Sequence, residues 1–216
     1  MKNNFQGLFI SFEGGEASGK TTQIRKIKKW FIHNRLNYVL TREPGGTKFA
    51  ESLRKIILSP KNNITIEQEI LLLMTSRIDH LNNVIKPALD QKKIVVTDRF
   101  VDSTAVYQGY YNKFGIKNIY ELHKLFLNNT FPDLTFFFHT PPEIIKKRLK
   151  KRINKNKYDI IHNKFNNQIN KGFLKIAKNN KRFIIIDGSL PIKTIYDIII
   201  NSIRRKLLKY GVKIQK

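Results

Sequence analysis

The chain has 216 residues, 41% of them hydrophobic, no cysteine and a formal net charge of +25. That length suits one domain with a core of its own, and the absence of thiols excludes disulfides, thiolate-ligated zinc and a cysteine nucleophile. The charge would attract polyanions. Its cations are spread along the whole chain, however, among over-used Lys, Asn and Ile, as in Lys61-Asn62-Asn63 and Asn154-Lys155-Asn156-Lys157. Codon bias gives that pattern, whereas a nucleic-acid site concentrates its charge in a patch or stripe, so no specific nucleic-acid partner is expected.

The N-terminus leads into an apolar stretch too short for a signal peptide, and no run approaches membrane-spanning length; a cytoplasmic protein is expected. The first apolar run, Leu8-Phe9-Ile10-Ser11-Phe12, reads as a buried strand. It is followed by Gly14-Gly15-Glu16-Ala17-Ser18-Gly19-Lys20-Thr21, and then by Ile24, Ile27 and Phe31 at helical spacing. Strand, glycine-rich turn and helix are the context in which G-x-x-x-x-G-K-[ST] cradles phosphate. The glycines let successive backbone N–H groups face one anion, and the helix N-terminus adds partial positive charge. Lys20 can reach the β- and γ-phosphates of a nucleoside triphosphate, and Thr21 can place its hydroxyl on Mg²⁺.

Further strand-like runs follow at Tyr38–Leu40, Ile94–Thr97, Leu134–Phe138 and Phe183–Ile186. Helical periodicity occupies stretches near 20–35, 47–58, 67–90, 118–128, 142–152, 160–180 and 192–209. Alternation of this kind predicts an α/β fold, a largely parallel five-stranded sheet with helices on both faces. Ligands then belong at the carboxyl ends of the strands. The second strand ends in Thr41-Arg42-Glu43-Pro44-Gly45-Gly46-Thr47 and the third in Asp98-Arg99-Phe100. The five histidines show no metal-ligand spacing and read as surface or packing residues.

Together these segments resemble the thymidylate kinase family of P-loop nucleoside monophosphate kinases. Thr41 to Thr47 matches that family's second-strand motif, and Asp98-Arg99-Phe100 its Asp-Arg-aromatic motif. The latter continues as Ser103-Thr104-Ala105-Val106-Tyr107-Gln108-Gly109, near the family's Ser-Thr-x-Ala-Tyr-Gln. Arg77 and His80 match an Arg-x-x-His, and Asp187-Gly188 closes the last strand. The resemblance spans about residues 5 to 208 and implies a three-layer P-loop kinase fold in a single domain, residues 1–216, with a mobile basic lid near 146–158.

The same resemblance implies the roles. Lys20 and Thr21 serve ATP and Mg²⁺, with Asp98 organising the magnesium. Glu16 lies near the sugar and phosphate of the acceptor, dTMP. Arg42, Arg54 and Arg99 hold the acceptor phosphate and the transferring group. Arg77 and Thr104 read the thymine edge, Tyr107 packs where a 2′-hydroxyl would clash, and Gln108 lies close by. A homodimer is implied through helices bearing Leu71 and Leu72.

Two positions depart from the family pattern. Leu73 stands where a phenylalanine commonly stacks on the thymine ring, and leucine covers the ring without offering a π-face. In the lid, Asn156-Lys157-Tyr158-Asp159 replaces Asp-Arg-apolar-Glu. Arg152 falls on the lid arginine of the bacterial subtype, which lacks arginine inside the P-loop; here that loop position is Ala17. The acceptor oxygen is anionic near neutral pH, since the second pKa of a phosphomonoester is about 6, so no general base is required. Catalysis then rests on positioning and charge neutralisation by Lys20, Arg99, Arg152 and Mg²⁺. Three other readings stay open at this point: a kinase for a different nucleoside monophosphate, an ATP-dependent nucleic-acid-binding protein, and a degenerate P-loop protein that binds nucleotide without turnover.

Overall fold

The computed structural model describes residues 5–150, 157–178 and 180–212. Five parallel strands form one sheet: β1 (Leu8–Gly14), β2 (Tyr38–Arg42), β3 (Ile94–Asp98), β4 (Leu134–His139) and β5 (Phe183–Asp187). Their order across the sheet is β2-β3-β1-β4-β5. Strand β1 is therefore central, paired with β3 on one edge and β4 on the other. Beyond the carboxyl end of such a strand a crevice opens.

Each strand runs one or two residues past the apolar run that identifies it in the sequence. The added residues are Glu13 and Gly14, Thr41 and Arg42, Asp98, His139, and Asp187. These polar ends lie together along one edge of the sheet.

Alternation along β1 assigns its faces. Leu8, Ile10 and Phe12 enter a core with Ile27, Trp30 and Phe31 of α1 (Lys20–His33) and Ile199, Ile203 and Leu207 of α9 (Ile192–Lys209). Phe9 enters a second core, with Ile70 and Met74 of α3 (Ile66–His80), Ala88 of α4 (Lys86–Asp90), Val101 of α5 (Val101–Thr104) and Ile119 of α6 (Ile116–Leu127). Helix α8 (Lys157–Ala177) packs Ile169 and Phe173 against Phe137 of β4.

Helices α2 (Lys48–Leu58) and α3 begin at side-chain caps. The Thr47 hydroxyl accepts from the Ala50 N–H, and Thr65 forms a capping box with Gln68. Such a cap contributes about 1 kcal/mol. Between α3 and α4 the coil widens to a π segment, Leu81–Ile85. Pro87 follows at once; it has no N–H to donate and crowds the carbonyl four residues back, and the wider turn accommodates both.

A second π segment, Ala105–Tyr111, continues α5. The periodicity of the sequence does not mark residues 101–111 as helix. Residues 101–109 are all buried, so the segment has no polar face to set a 3.6-residue period. Helix α7 (Pro142–Lys150) contains residues 146–150 of the expected lid, and 157–158 begin α8. Arg152 and the rest of the lid, 151–156, lie outside the described residues.

Candidate active site

The glycine-rich loop leaves β1 and enters α1. Gly14 has φ 128° and Gly19 φ 110°, values that side chains rarely adopt; Ala17 also turns left-handed at φ 55°. Lys20 is buried, and its ammonium donates to Gly14 O at 3.1 Å, Gly15 O at 2.8 Å and Ser18 Oγ at 3.5 Å. Burial, and then the charge of Arg99, depress its pKa, against the opposing pull of Asp98. Positive charge is thus concentrated where the loop would take an anion.

Arg99 follows β3 with φ 74°. Its guanidinium donates to Gly14 O at 2.9 Å, Ser103 Oγ at 3.0 Å and Glu16 Oε1 at 2.8 Å, and lies 5.4 Å from the Tyr107 ring centre. Burial pushes the Tyr107 hydroxyl up to about 12 despite that charge, so it stays protonated at neutral pH. Asp98 lies 3.9 Å from Lys20 Nζ.

Around these groups a cleft of about 780 Å³ is lined by the loop residues Glu16 to Thr21, and by Arg42, Arg54, Asp98 and Arg99. Arg42, exposed, is held bidentately by Glu51 at 3.0 and 3.1 Å. Arg54 donates to Pro44 O at 2.7 Å. Its pKa is lowered, first by burial and then by the charge of Arg42.

Arg148 of α7 lines the same cleft and donates to Ala17 O at 3.1 Å, Ser18 O at 3.2 Å and Gly188 O at 3.4 Å. Sequence reading did not single it out, because it sits within the run Lys146-Lys147-Arg148-Leu149-Lys150. Only the fold shows which of those cations turns toward the loop.

A second, narrow cavity of about 30 Å³ adjoins the first. It brings together Leu73, Arg77, Arg99, Thr104, Tyr107 and Gln108 with Phe100 and Glu43. The residues assigned to the thymine and to the deoxyribose wall are therefore in one place, whereas Glu16, assigned near the sugar and phosphate, lines the wide cleft. Arg77, 2% exposed, donates from Nε to Glu43 Oε2 at 2.7 Å and from Nη2 to Thr104 Oγ1 at 2.9 Å. His80, also buried, places Nδ1 at 3.0 Å from Glu43 Oε1 and Nε2 at 2.7 Å from Thr41 Oγ1. A Cβ at Gly46 would strike the His80 ring, so glycine is required there. Burial alone would raise the Glu43 carboxyl, but the Arg77 charge and the His80 hydrogen bond outweigh it and hold it below its ordinary value. Gln108 donates to Glu69 Oε1 at 2.8 Å.

Leu73 is buried against Leu53 and Ile57 of α2. Phe100 turns edge-on to Phe9, centroids 5.0 Å apart, with the Arg77 guanidinium 5.3 Å from its ring centre.

Asp98 and Thr21 are the candidate holders of Mg²⁺. Buried Asp98 Oδ1 lacks a hydrogen-bond partner, which a cation or its bound water would supply. The set, one carboxylate and one hydroxyl, is oxygen-only and sparse. That fits Mg²⁺, which binds one or two protein oxygens and takes its remaining ligands from phosphate and water.

A glycine-rich phosphate loop leaving the central strand of a parallel sheet, with cations converging on its mouth, defines a P-loop nucleoside-triphosphate-binding protein. A family model described as thymidylate kinase matches residues 12–199. The thymidylate kinase of Mycoplasma capricolum is 42% identical over 206 residues, covering 93% of this chain and 96% of that protein. That of Kosmotoga olearia is 35% identical over 205 residues, covering 94% and 99%. A crystal structure of thymidylate kinase from Ehrlichia chaffeensis superposes with a TM-score of 0.74 at 33% identity, covering 92% of this chain and 98% of that one. The chain belongs to the thymidylate kinase family.

Proposed function

We propose that this chain transfers the γ-phosphoryl group of ATP to dTMP, giving dTDP and ADP. The observation that carries the reading is the junction of the two cavities at Arg99, which lines both. A triphosphate seated on the loop and a nucleotide whose base enters the narrow pocket would meet there. A dTMP phosphate oxygen attacks the γ-phosphorus as the bond to the β–γ bridging oxygen breaks, and ADP leaves. The two reacting groups are both anions, so Lys20, Arg99, Arg42 and Arg54 serve by neutralising and aligning them. Further neutralisation of the β- and γ-oxygens is what bound Mg²⁺ supplies; Thr21 and Asp98 would hold it. Arg148 would add to the donor side of the clamp, and the assigned lid arginine Arg152 would complete it.

Arg77 and Thr104 would exchange hydrogen bonds with the thymine edge and Leu73 would cover its face; that all three line the narrow cavity supports this reading. Tyr107 and Gln108 complete the wall near the deoxyribose. The reading includes a homodimer, supported by apolar side chains left exposed on α2 and α3: Phe49 at 53% and Leu71 at 57%. It also includes a single domain, since one sheet carries the whole site, and a cytoplasmic location. No helix among the described residues is long and apolar enough to cross a membrane.

ADP release measured with ATP, Mg²⁺ and each nucleoside monophosphate in turn tests the activity. dTMP is expected to give the highest kcat/KM, and a clear preference for another monophosphate would overturn the assignment. Light scattering on the purified protein tests the dimer.

A further inference from the structure

Glu13 lies one residue before the phosphate loop and is fully buried, yet it lines neither cavity. Burial, and then the nearby Asp102, push the Glu13 carboxyl up to about 8, and a polar group taken out of water is retained only where partners compensate it. Its partners all belong to the segment after β3. Oε1 accepts from the Phe100 N–H at 2.7 Å, and Oε2 accepts from the Ser103 hydroxyl at 2.6 Å. The neighbouring residue Phe12 accepts from the Arg99 N–H at 2.9 Å. Consecutive residues of β1 thus hold both peptide groups flanking the Arg99 Cα, and the Thr97 hydroxyl holds its carbonyl at 2.8 Å. Arg99 needs this grip because its backbone is left-handed, which a side chain other than glycine resists.

Ser103 extends the grip to the side chain. A serine hydroxyl has one proton and two lone pairs. With the proton directed to Glu13, a lone pair remains for Arg99 Nη1 at 3.0 Å. The chain Glu13–Ser103–Arg99 therefore passes from a fixed strand to the guanidinium with each donor facing an acceptor.

We propose that Glu13 is a positioning residue for phosphoryl transfer: through the Phe100 N–H and the Ser103 hydroxyl it fixes Arg99 at the junction of the two substrates. This rests on the phosphoryl-transfer reading above. A misplaced clamp lowers rate even when the fold survives, by about 10- to 100-fold for a displacement near 1 Å.

A double-mutant cycle tests it, with kcat and the KM for ATP measured for Glu13→Ala and Ser103→Ala, each in the wild-type and the Arg99→Ala background. In the wild-type background each substitution is expected to lower kcat by about 10-fold or more with the KM for ATP unchanged. In the Arg99→Ala background each should cost less than about two-fold, because the group they position is gone. Equal losses in both backgrounds would show a general structural role and overturn the proposal, as would near-normal kcat in the single variants. If Glu13→Ala fails to fold, Ser103→Ala removes only one oxygen and carries the cycle alone. A wild-type protein inactive with every monophosphate would overturn both the reading and this role; an active wild type with additive losses overturns only the role.

Discussion

The narrow pocket and the wide cleft are built on opposite principles. In the pocket, Glu43, Arg77 and Thr104 are nearly inaccessible and already bonded to one another, with buried His80 bonded to Glu43 from behind. In the cleft, Arg42 is 57% exposed, and Lys20 and Arg148 donate to carbonyls of the loop itself. Base selection calls for groups whose directions are fixed before binding, since an unpaired buried donor rejects the wrong base. Phosphate binding calls for reachable charge, whose internal acceptors an anion can replace. The contrast is that of a rigid reading frame beside a loaded electrostatic trap.

Removing the frame should have the largest effect on stability. Glu43→Ala leaves the Arg77 guanidinium buried without its carboxylate and is expected to cost about 3–5 kcal/mol, read by chemical denaturation. A loss below about 1 kcal/mol would mean the pocket is not held by this pair. The sign with pH follows from the depressed Glu43 pKa. Its contribution is present above the unfolded carboxylate value near 4.5 and is lost as pH falls through the lower folded value. Glu43→Gln should therefore show a smaller acid-side loss of stability than the wild type.

Removing the trap's central cation should affect rate instead. Arg99→Ala is expected to lower kcat by about 100- to 1000-fold while the chain stays folded, and steady-state turnover near normal would remove Arg99 from the clamp. A smaller effect is expected where an aromatic face is added to the pocket. Leu73→Phe should tighten dTMP binding by about 2- to 10-fold, the worth of an aromatic contact, and an unchanged or weaker Kd by calorimetry would count against the base lying over this position. The smallest stability effect belongs to Arg42→Ala. Its exposed pair with Glu51 is worth less than about 1 kcal/mol, yet the KM for dTMP should rise. A stability loss comparable to that of Glu43→Ala would erase the distinction between the two regions.

How far the sequence reveals this arrangement depends on the kind of signal. The strands are legible because each is an apolar run, and Arg42 and Asp98 at their ends through the motifs that contain them; Glu13, which breaks the hydrophobic pattern while remaining in the ladder, carries no such mark. The segment 101–111 is recognised through its motif and not as helix, because burial removes its amphipathic period. His80 is marked in the sequence only by its Arg-x-x-His motif, without a partner or a role, and the fold makes it a wall behind the second-strand motif. Asp102 carries no signal at all. The structure buries it beneath a bidentate Arg182 at 2.6 and 2.7 Å, with the Tyr120 hydroxyl at 2.7 Å, tying α5 to the start of β5.

By itself the sequence determined the layered α/β class, the phosphate loop and most residues that gather at the strand ends, since these depend on local periodicity and on motifs contiguous in the chain. Only the tertiary structure decided which cation of the 146–150 run meets the loop, that Arg77 is already paired, and that Glu13 faces the Arg99 segment. Those facts concern partners far apart in sequence, such as Glu13 and Ser103 or Ala17 and Arg148. Hydrogen bonding and charge compensation act across space, so they become defined only when the sheet brings its strand ends together.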